Sequence, residues 1–465
     1  MAKIFAFLKK YRLYLVILLA LIAQQVFFIV KFPPVHEVDT ASYYGPAKSF
    51  LETGKMFSDR RMPGYPFVIA TAMRLCPSSP DTLIVIAQHC MGLLIWAAAM
   101  LILSNRRQRM MFSVFWFADL LFNSYQHVIL TETPMALFVF FSAAFLIVLQ
   151  KKGDGSTKYP SGTGFLISGL CVSLAFLMKP VMYLFFLFAL PLFYFSADTW
   201  KERLRKYGLF ILFPILTINA VCVNNYRLTG KYVFMPYSAS YYIEYVINFN
   251  EVPENSRTIG IIDWDSYHRP MDNEQKMAAA SEVVHNLENA GFSLAEADKE
   301  LKKIALNSAI RHPLLFIRKM AIETAHFYLN AHNHYVKHFY KGRMPFSMGT
   351  AIREGDYIGA AKKMLYSLHF MYWLLFILFL YSIYVYIRKS RYVLRHGGFK
   401  MFFEKAGADF FSLYSFWLII YITLVTVIVC QGDARYRTAV QPFMALFAVR
   451  VLDGFLSSVQ AKKRQ

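Results

Sequence analysis

From Leu13 to Val30 the chain carries no charged residue, and the stretch "TLIVIAQHCMGLLIWAAAMLILS" is equally apolar. The hydrocarbon core of a bilayer is about 30 Å thick and takes about 20 apolar residues of helix to cross. Runs of this length recur to the C-terminus, and they limit the chain to one broad class. Backbone polar groups inside lipid must be satisfied within the segment, so the spans are helical unless a barrel closes. The alternating pattern of a barrel is absent. With 57% hydrophobic residues, 44 Phe and 30 Tyr, and a mean hydropathy of +0.37, the chain reads as an all-α polytopic membrane protein. The first apolar run is long enough to span and lacks a clear small-residue cleavage site, so it is read as a helix rather than a removed leader.

The formal net charge is +21. In a membrane protein an excess of Lys and Arg marks cytoplasmic loops, and nothing here resembles a nucleic-acid module. The basic residues punctuate the apolar runs: Lys9, Lys10 and Arg12; Arg106, Arg107 and Arg109; Lys151 and Lys152; Lys201, Arg203, Arg205 and Lys206; Arg388, Lys389 and Arg391; Lys462, Lys463 and Arg464. Placing these inside predicts spans at about 11–31, 81–104, 110–128, 133–150, 163–178, 180–197, 206–223, 366–388, 409–430 and 437–455. This gives about ten transmembrane helices with both ends cytoplasmic. Residues 32–80 then form an outer loop, in which "PGYPFVIATAMRLCP" is too short to span and suits a helix lying at the membrane surface. Three regions follow: a transmembrane module at 1–223, an extracytoplasmic segment at 224–365, mixed but mainly helical, and closing helices at 366–465. In the extracytoplasmic segment Leu301, Ile304, Ala305 and Ala309 make one apolar helical stripe, and His312-Pro313 should break that helix. "DTASYYGPAKSFLETG" reads as a short helix stopped by Gly54. Cys76, Cys90, Cys171, Cys222 and Cys430 lie in or beside apolar runs with no CxxC pair, and are read as small core residues.

Charges near a membrane are costly unless paired or functional. The predicted outer face carries Glu37, Asp39, Arg60, Arg61, Glu132, Lys179, Asp433, Arg435 and Arg437. Taken singly, a Lys or Arg there can snorkel to headgroups, and Glu132 in "TETP" can simply begin a helix. Taken together they place two or three carboxylates opposite several fixed cations around one outer cavity. That set suits a reaction with a phosphate leaving group. Cations hold the phosphate as charge develops, and one carboxylate takes a proton from an incoming hydroxyl. A glycosidic bond, by contrast, requires a pair of acid and base carboxylates.

Several segments carry a family resemblance. "DTASYYGPAKSFLETGKMFSDRRMPGYPFVIA" resembles the first outer loop of C-type (GT-C) glycosyltransferases, among them the family-39 protein mannosyltransferases and the aminoarabinose transferases of lipid A. "ILTETPMALFVF", "SGLCVSLAFLMKPVMYLF", "INAVCVNNYRLTGKYVF" and "GDARYRTAVQPFMALF" resemble that family's later motifs in the same order. The resemblance covers most of the chain outside about 235–365. It implies a GT-C-like fold and transfer of a sugar from a polyprenyl-phosphate-linked donor to a hydroxyl or phosphate of a lipid, glycan or protein acceptor on the outer side. It makes Asp39 the candidate base, alone or with Glu37. Glu132 is the second acidic residue, orienting the acceptor or assisting a divalent metal ion. Arg60, Arg61, Lys179, Arg435 and Arg437 are candidates for the donor phosphate, and Tyr43 and Tyr44 for lining the site. The chain departs from the family in having Thr40 after Asp39, Lys179 where Arg is usual, and no Arg before Asn224.

Two other classes compete. A transporter or flippase of lipid-linked glycans would place ionisable residues within spans and discontinuous helices near the midplane, whereas these charges gather at one face. A non-catalytic protein of the same fold is the third. His326, His332, His334 and His338 read as a wet amphipathic surface rather than a metal site, and Asp263, Trp264 and Asp265 as a surface turn. The absence of an Asn-x-Ser/Thr sequon favours a bacterial inner membrane, with the site facing the periplasm.

Overall fold

The computed structural model describes residues 2–37, 39–56, 58, 61–149, 160–197, 199–230, 232–234, 252–267, 273–329, 355–366, 369–429 and 434–462. Among these, helices make up the whole regular structure, and extended pairing is limited to two isolated bridges. Six helices are long and apolar enough to cross a membrane: Arg12–Lys31, Pro80–Ile102, Trp200–Thr229, Met371–Gly398, Phe410–Ile428 and Gln441–Ala461. Two shorter apolar helices, Glu132–Val148 and Gly162–Met178, stand among them. The protein is therefore an integral membrane protein of all-α class.

In chain order the first helices are α1 (Ala2–Lys31), α2 (Thr40–Thr53), α3 (Gly64–Leu75), α4 (Pro80–Ile102), α5 (Arg106–Ala118), α6 (Leu120–Tyr125), α7 (Glu132–Val148) and α8 (Gly162–Met178). After them come α9 (Phe185–Phe188), α10 (Trp200–Thr229), α11 (Asn273–Asn289), α12 (Leu294–Arg311), α13 (Pro313–Leu329) and α14 (Tyr357–Tyr366). The chain closes with α15 (His369–Ala408), α16 (Phe410–Val429) and α17 (Gln441–Lys462). Their ends follow local chemistry. Asn105, Ser161 and Thr199 each accept a backbone N–H from the first turn of the helix they precede. Ser293 and Glu296 form a reciprocal capping box on α12. Gly54 stops α2 with φ of 71°, its N–H closing on the Phe50 carbonyl, a conformation that costs glycine little.

At 12 residues, α3 is about 18 Å long and falls short of a bilayer, in keeping with a surface helix. Two expected spans are broken rather than straight. The stretch 110–128 is interrupted at Asp119, which leaves helical geometry and caps α6 by accepting from the Phe122 N–H at 3.0 Å. The stretch 180–197 breaks into a 3₁₀ turn at Pro180–Met182, the single turn α9 and a 3₁₀ segment at Leu190–Phe195. Pro180 and Pro191 cannot supply the N–H groups a continuous helix needs there. Within α15 a break at Gly398 ends the apolar part.

The core centres on α7, which is apolar all round and buried on nearly every face, as a helix without a polar stripe must be. It packs between α8 and α4, while α10 covers the far side of α8. The approach of α8 to α10 is close enough that a methyl group at Gly169 would collide with the backbone carbonyl of Phe210. Residues 262–304 hold a second apolar core, formed by Ile262, Trp264, Val283, Leu287, Leu301 and Ile304 among others. Leu301, Ile304 and Ala305 are buried as their spacing predicts, and α12 ends at Arg311 before Pro313 opens α13. Of the cysteines, Cys171 and Cys222 are buried, but Cys90 is exposed on the outer surface of α4 and Cys76 is half-buried. The core reading thus fails for Cys90. Cys430 lies outside the described residues.

Gly169→Ala should lower the thermal unfolding midpoint in detergent, because overpacking a close contact costs about 1–3 kcal/mol. Gly208→Ala, with open space around its Cα, should leave the midpoint unchanged or raise it. Equal midpoints for the two variants would mean that the α8–α10 contact is looser than described.

Candidate active site

The site is assembled by a short stitch between two loops. Val35, after α1, pairs with the segment before α7: its N–H donates to His127 O at 3.1 Å, and Ile129 N–H donates to Val35 O at 3.0 Å. The Thr40 hydroxyl donates to Ile129 O at 3.1 Å and accepts from the Glu37 N–H at 2.9 Å. Beneath the stitch, the Gln88 amide on α4 donates to the carbonyls of Gln126 and Val128 at 3.0 and 2.8 Å and accepts from the Tyr65 hydroxyl at 3.1 Å. His127 reaches Phe32 O at 2.9 Å and His89 at 3.1 Å, and His89 in turn meets Gln25. The carbonyls of Gln126, His127, Val128 and Ile129 in this buried turn are thereby satisfied.

The stitch brings Asp39 alongside Glu132. Asp39 precedes α2 but caps nothing with its side chain. Instead Oδ1 accepts from Arg61 Nη2 at 2.5 Å, and Oδ2 from Arg435 Nη1 at 2.8 Å. Glu132, in the first turn of α7, accepts from Lys179 Nζ at 2.6 Å, with Arg435 Nε at 3.8 Å from the same oxygen. Lys179 is aimed there by Pro180. The residue before a proline is driven out of helical geometry, so Lys179 ends α8 in an extended conformation (φ −150°, ψ 130°) and turns inward. Its ammonium also lies 3.4 Å from the centroid of the Tyr436 ring, a close cation–π contact. Arg61 is fixed by the Ser42 hydroxyl at 2.7 Å and the Tyr43 hydroxyl at 3.3 Å. Ser42 and Tyr436 belong to the site although the sequence reading passed over them. Each is the immediate neighbour of a candidate residue, and only the folded contacts, Ser42 with Arg61 and Tyr436 with Lys179, mark them out.

The remaining candidates are placed elsewhere. Arg437 is 2% exposed and donates to the Phe327 and Tyr328 carbonyls at 2.8 and 3.1 Å, closing the last turn of α13. Its guanidinium lies over the Tyr372 ring. As a phosphate ligand Arg437 is therefore replaced by a helix-capping role. Tyr44 points away from Tyr43, as adjacent helical residues must, and donates to Asp81, which also meets His36 at 2.7 Å. Glu37 is set by its backbone bonds to Thr40. Trp264 is buried in the outer core with its N–H on Thr258, so the Asp263–Asp265 segment is a structural turn. Arg60, Asp433, His332, His334 and His338 lie outside the described residues, and His326 is exposed, 3.6 Å from Glu323.

Two carboxylates against three cations leave the cluster one positive charge in excess. Among the described residues no three His, Cys, Asp or Glu side chains gather as a metal site would need. Asp39 and Glu132 both face cations, Arg61 and Arg435 for the first and Lys179 and Arg435 for the second. The cluster is graded in depth. Glu132 is 3% exposed and Asp39 is 25% exposed, so Asp39 is the carboxylate within reach of a ligand. Burial works to raise the Asp39 pKa, but Arg435 and Arg61 outweigh it and hold the carboxyl below its usual value. Burial raises the Tyr43 phenol to about 12, so it stays protonated. Beside Arg61 a cavity of about 320 Å³ opens, walled by Pro46, Met56, Met62, Leu177, Val221 and Phe234.

No family model matches the chain, and no curated protein sequence does. Solved structures do. The chain is similar to the archaeal oligosaccharyltransferase AglB from Archaeoglobus fulgidus, in complex with an inhibitory peptide and a dolichol-phosphate. Identity is 11% and the TM-score 0.50, over 98% of this chain and 52% of that one. The chain thus spans about half the length of that protein. ArnT from Cupriavidus metallidurans aligns at TM-score 0.35, in the apo state with 14% identity over 88% of this chain and 76% of that one. Bound to undecaprenyl phosphate it aligns with 13% identity, over 92% and 77%. The fold is GT-C-like, as the motifs implied.

A carboxyl whose folded pKa is depressed adds stability above its unfolded value, and that stability is lost as pH falls through the lower folded value. In Arg435→Gln the Asp39 midpoint should therefore move up, since burial then opposes Arg61 alone. Carbodiimide activation of a carboxyl consumes one proton and slows as the carboxyl ionises, so peptide mass spectrometry of Asp39 labelling between about pH 3 and pH 7, compared between the two proteins, follows this midpoint. Labelling should begin at higher pH in the variant. Coincident curves would mean that Arg435 does not govern Asp39.

Proposed function

We propose that the protein is a membrane glycosyltransferase that moves a sugar from a polyprenyl-phosphate-linked donor to an acceptor at the outer membrane face, the periplasmic side of a bacterial inner membrane. The observation that carries this reading is the single guanidinium of Arg435, which lies between Asp39 and Glu132. One cation thus ties an accessible carboxylate to a buried, neutralised one, with two further cations alongside. The GT-C-like fold shared with an oligosaccharyltransferase supports it, as does the mainly apolar cavity, with Asn224 and Asn225 also in its wall, that begins at Arg61 and suits a prenyl chain whose phosphate meets the guanidinium.

The chemistry follows from the charges. The donor phosphate takes hydrogen bonds from Arg61 and Arg435. These are the groups that hold Asp39 in its weakly basic resting state, so their engagement by phosphate frees Asp39 to accept a proton. The acceptor hydroxyl then attacks the anomeric carbon while Asp39 removes its proton. The carbon–oxygen bond to phosphate breaks, and its electron pair leaves on the polyprenyl phosphate, whose developing charge the two arginines stabilise. Glu132 keeps Lys179 and Arg435 aimed at that phosphate. A lipid, a glycan or a protein can supply the hydroxyl. A flippase would use buried polar residues within the bundle as a path, yet Gln25 of α1, Gln88 and His89 of α4, and His127 before α7 are all engaged in holding the loop.

Transfer from defined polyprenyl-phosphate sugars by the purified full-length chain tests the proposal. Loss of a general base typically costs about 10²–10⁴-fold in rate, so Asp39→Asn should transfer that much more slowly than wild type. Equal transfer by the two proteins would sink the reading.

A further inference from the structure

A second basic site lies at the opposite end of the bundle. At 20 residues, α16 is about 30 Å long, and it separates Asp409 at one end from the Arg435 segment at the other. The far end also holds the start of α5, where Arg107 meets Asp453 of α17 at 3.4 Å. There α15, α16 and α17 enclose a groove of about 730 Å³. Its lining includes three cations, Arg388, Lys389 and Arg450, and one carboxylate, Asp409. The floor is apolar, with Phe416 stacked on Phe447 at 4.1 Å.

The cations are largely unspent. Arg450 Nη1 donates to the Ser412 hydroxyl at 2.8 Å, and Asp409 lies at 4.0 Å, the limit of an ion pair. Arg388 and Lys389 take part in no ion pair among the described residues, and both are exposed at the groove's mouth. A guanidinium offers five donors, so Arg450 retains capacity for an anion. The approach is equally specific. Ile377, Leu380, Tyr381, Tyr384 and Ile387 are 60%, 48%, 45%, 56% and 46% exposed. Their spacing of three and four residues places them on one face of α15, which runs directly into Arg388. Tyrosines are enriched at the level of lipid headgroups, with apolar surface below them.

We infer that this groove binds the phosphate headgroup of an anionic membrane phospholipid, with Arg388, Lys389 and Arg450 around the phosphate and the Ile377–Ile387 face along an acyl chain. A soluble anion would use the cations but not that apolar track. The site is independent of the Asp39 centre, and no residue is shared between them.

Native mass spectrometry of the full-length protein with phosphatidylglycerol or phosphatidylcholine as probe tests the inference. Wild type should retain phosphatidylglycerol in preference to phosphatidylcholine. Each basic residue near a membrane surface typically contributes about fivefold to anionic-lipid binding, so R388Q/K389Q should reduce that preference by about tenfold or more. These two residues are exposed, so the variant does not depend on the fate of the partly buried Arg450. Arg450→Gln should weaken retention further if it folds. Equal retention of the two lipids by wild type, or unchanged preference in R388Q/K389Q, overturns the inference. Full displacement by millimolar inorganic phosphate, with no contribution from the lipid chains, reassigns the groove to a free anion and also overturns it.

Discussion

Glu132 is a carboxylate almost completely removed from water among packed apolar helices, and the arrangement of the candidate site follows from the need to neutralise it. A buried charge left unpaired costs several kcal/mol, on the order of 3–5 when one partner of a pair is removed. Lys179 meets it at 2.6 Å, and Arg435 comes within 3.8 Å. Each partner is delivered by a break in regular structure. Pro180 ejects Lys179 from α8, and the 3₁₀ turn Ala434–Ala439 presents Arg435 before α17 begins. The aromatic face of Tyr436 closes over the lysine. Two segments distant in sequence, the end of α8 and the 3₁₀ turn before α17, thus converge on the one carboxylate of α7.

From that anchor the second carboxylate acquires a different character. Asp39 is held by Arg435, which also lies 3.8 Å from Glu132, and by Arg61, itself fixed by Ser42 and Tyr43. The result is a resting ion-pair network at the boundary between protein and solvent, with one positive charge in excess and an apolar cavity adjoining it. A phosphate ester with a lipid tail matches both halves. Under the proposed function, its binding and the release of Asp39 are one event, because the same two guanidinium groups would serve both.

Much of this was legible in the sequence, for physical reasons. Length and apolarity mark the six long helices, and prolines and glycines mark α2, α3 and the α12–α13 break. The convergence of Asp39, Arg61, Glu132, Lys179 and Arg435 could be read because charges at one membrane face have few places to go. The misassigned residues share a cause. Arg435 and Arg437 look equivalent in "ARYR", but residues two apart on a 3₁₀ turn point to different sides, and Arg437 caps α13 instead. Tyr43 and Tyr44 diverge in the same way on an α-helix. The stitch at Val35 and the Gln25–His89–His127 chain left no pattern, since their spacing comes from tertiary pairing across nearly a hundred residues. The spans expected at 110–128 and 180–197 rest on apolarity and the placement of basic clusters, neither of which registers the capping by Asp119 or the missing N–H groups of Pro180 and Pro191.

The central claim is that Arg435 serves the donor phosphate and Asp39 alternately. Binding of undecaprenyl phosphate to wild type and to Arg435→Gln in detergent, with carbodiimide labelling of Asp39 followed through the titration, tests it most directly. Saturation of wild type with the lipid should increase Asp39 labelling, and the variant should bind the lipid about tenfold or more weakly, as expected for loss of a charge-assisted hydrogen bond. Equal affinity of the two proteins, with Asp39 labelling indifferent to the lipid, would contradict the account.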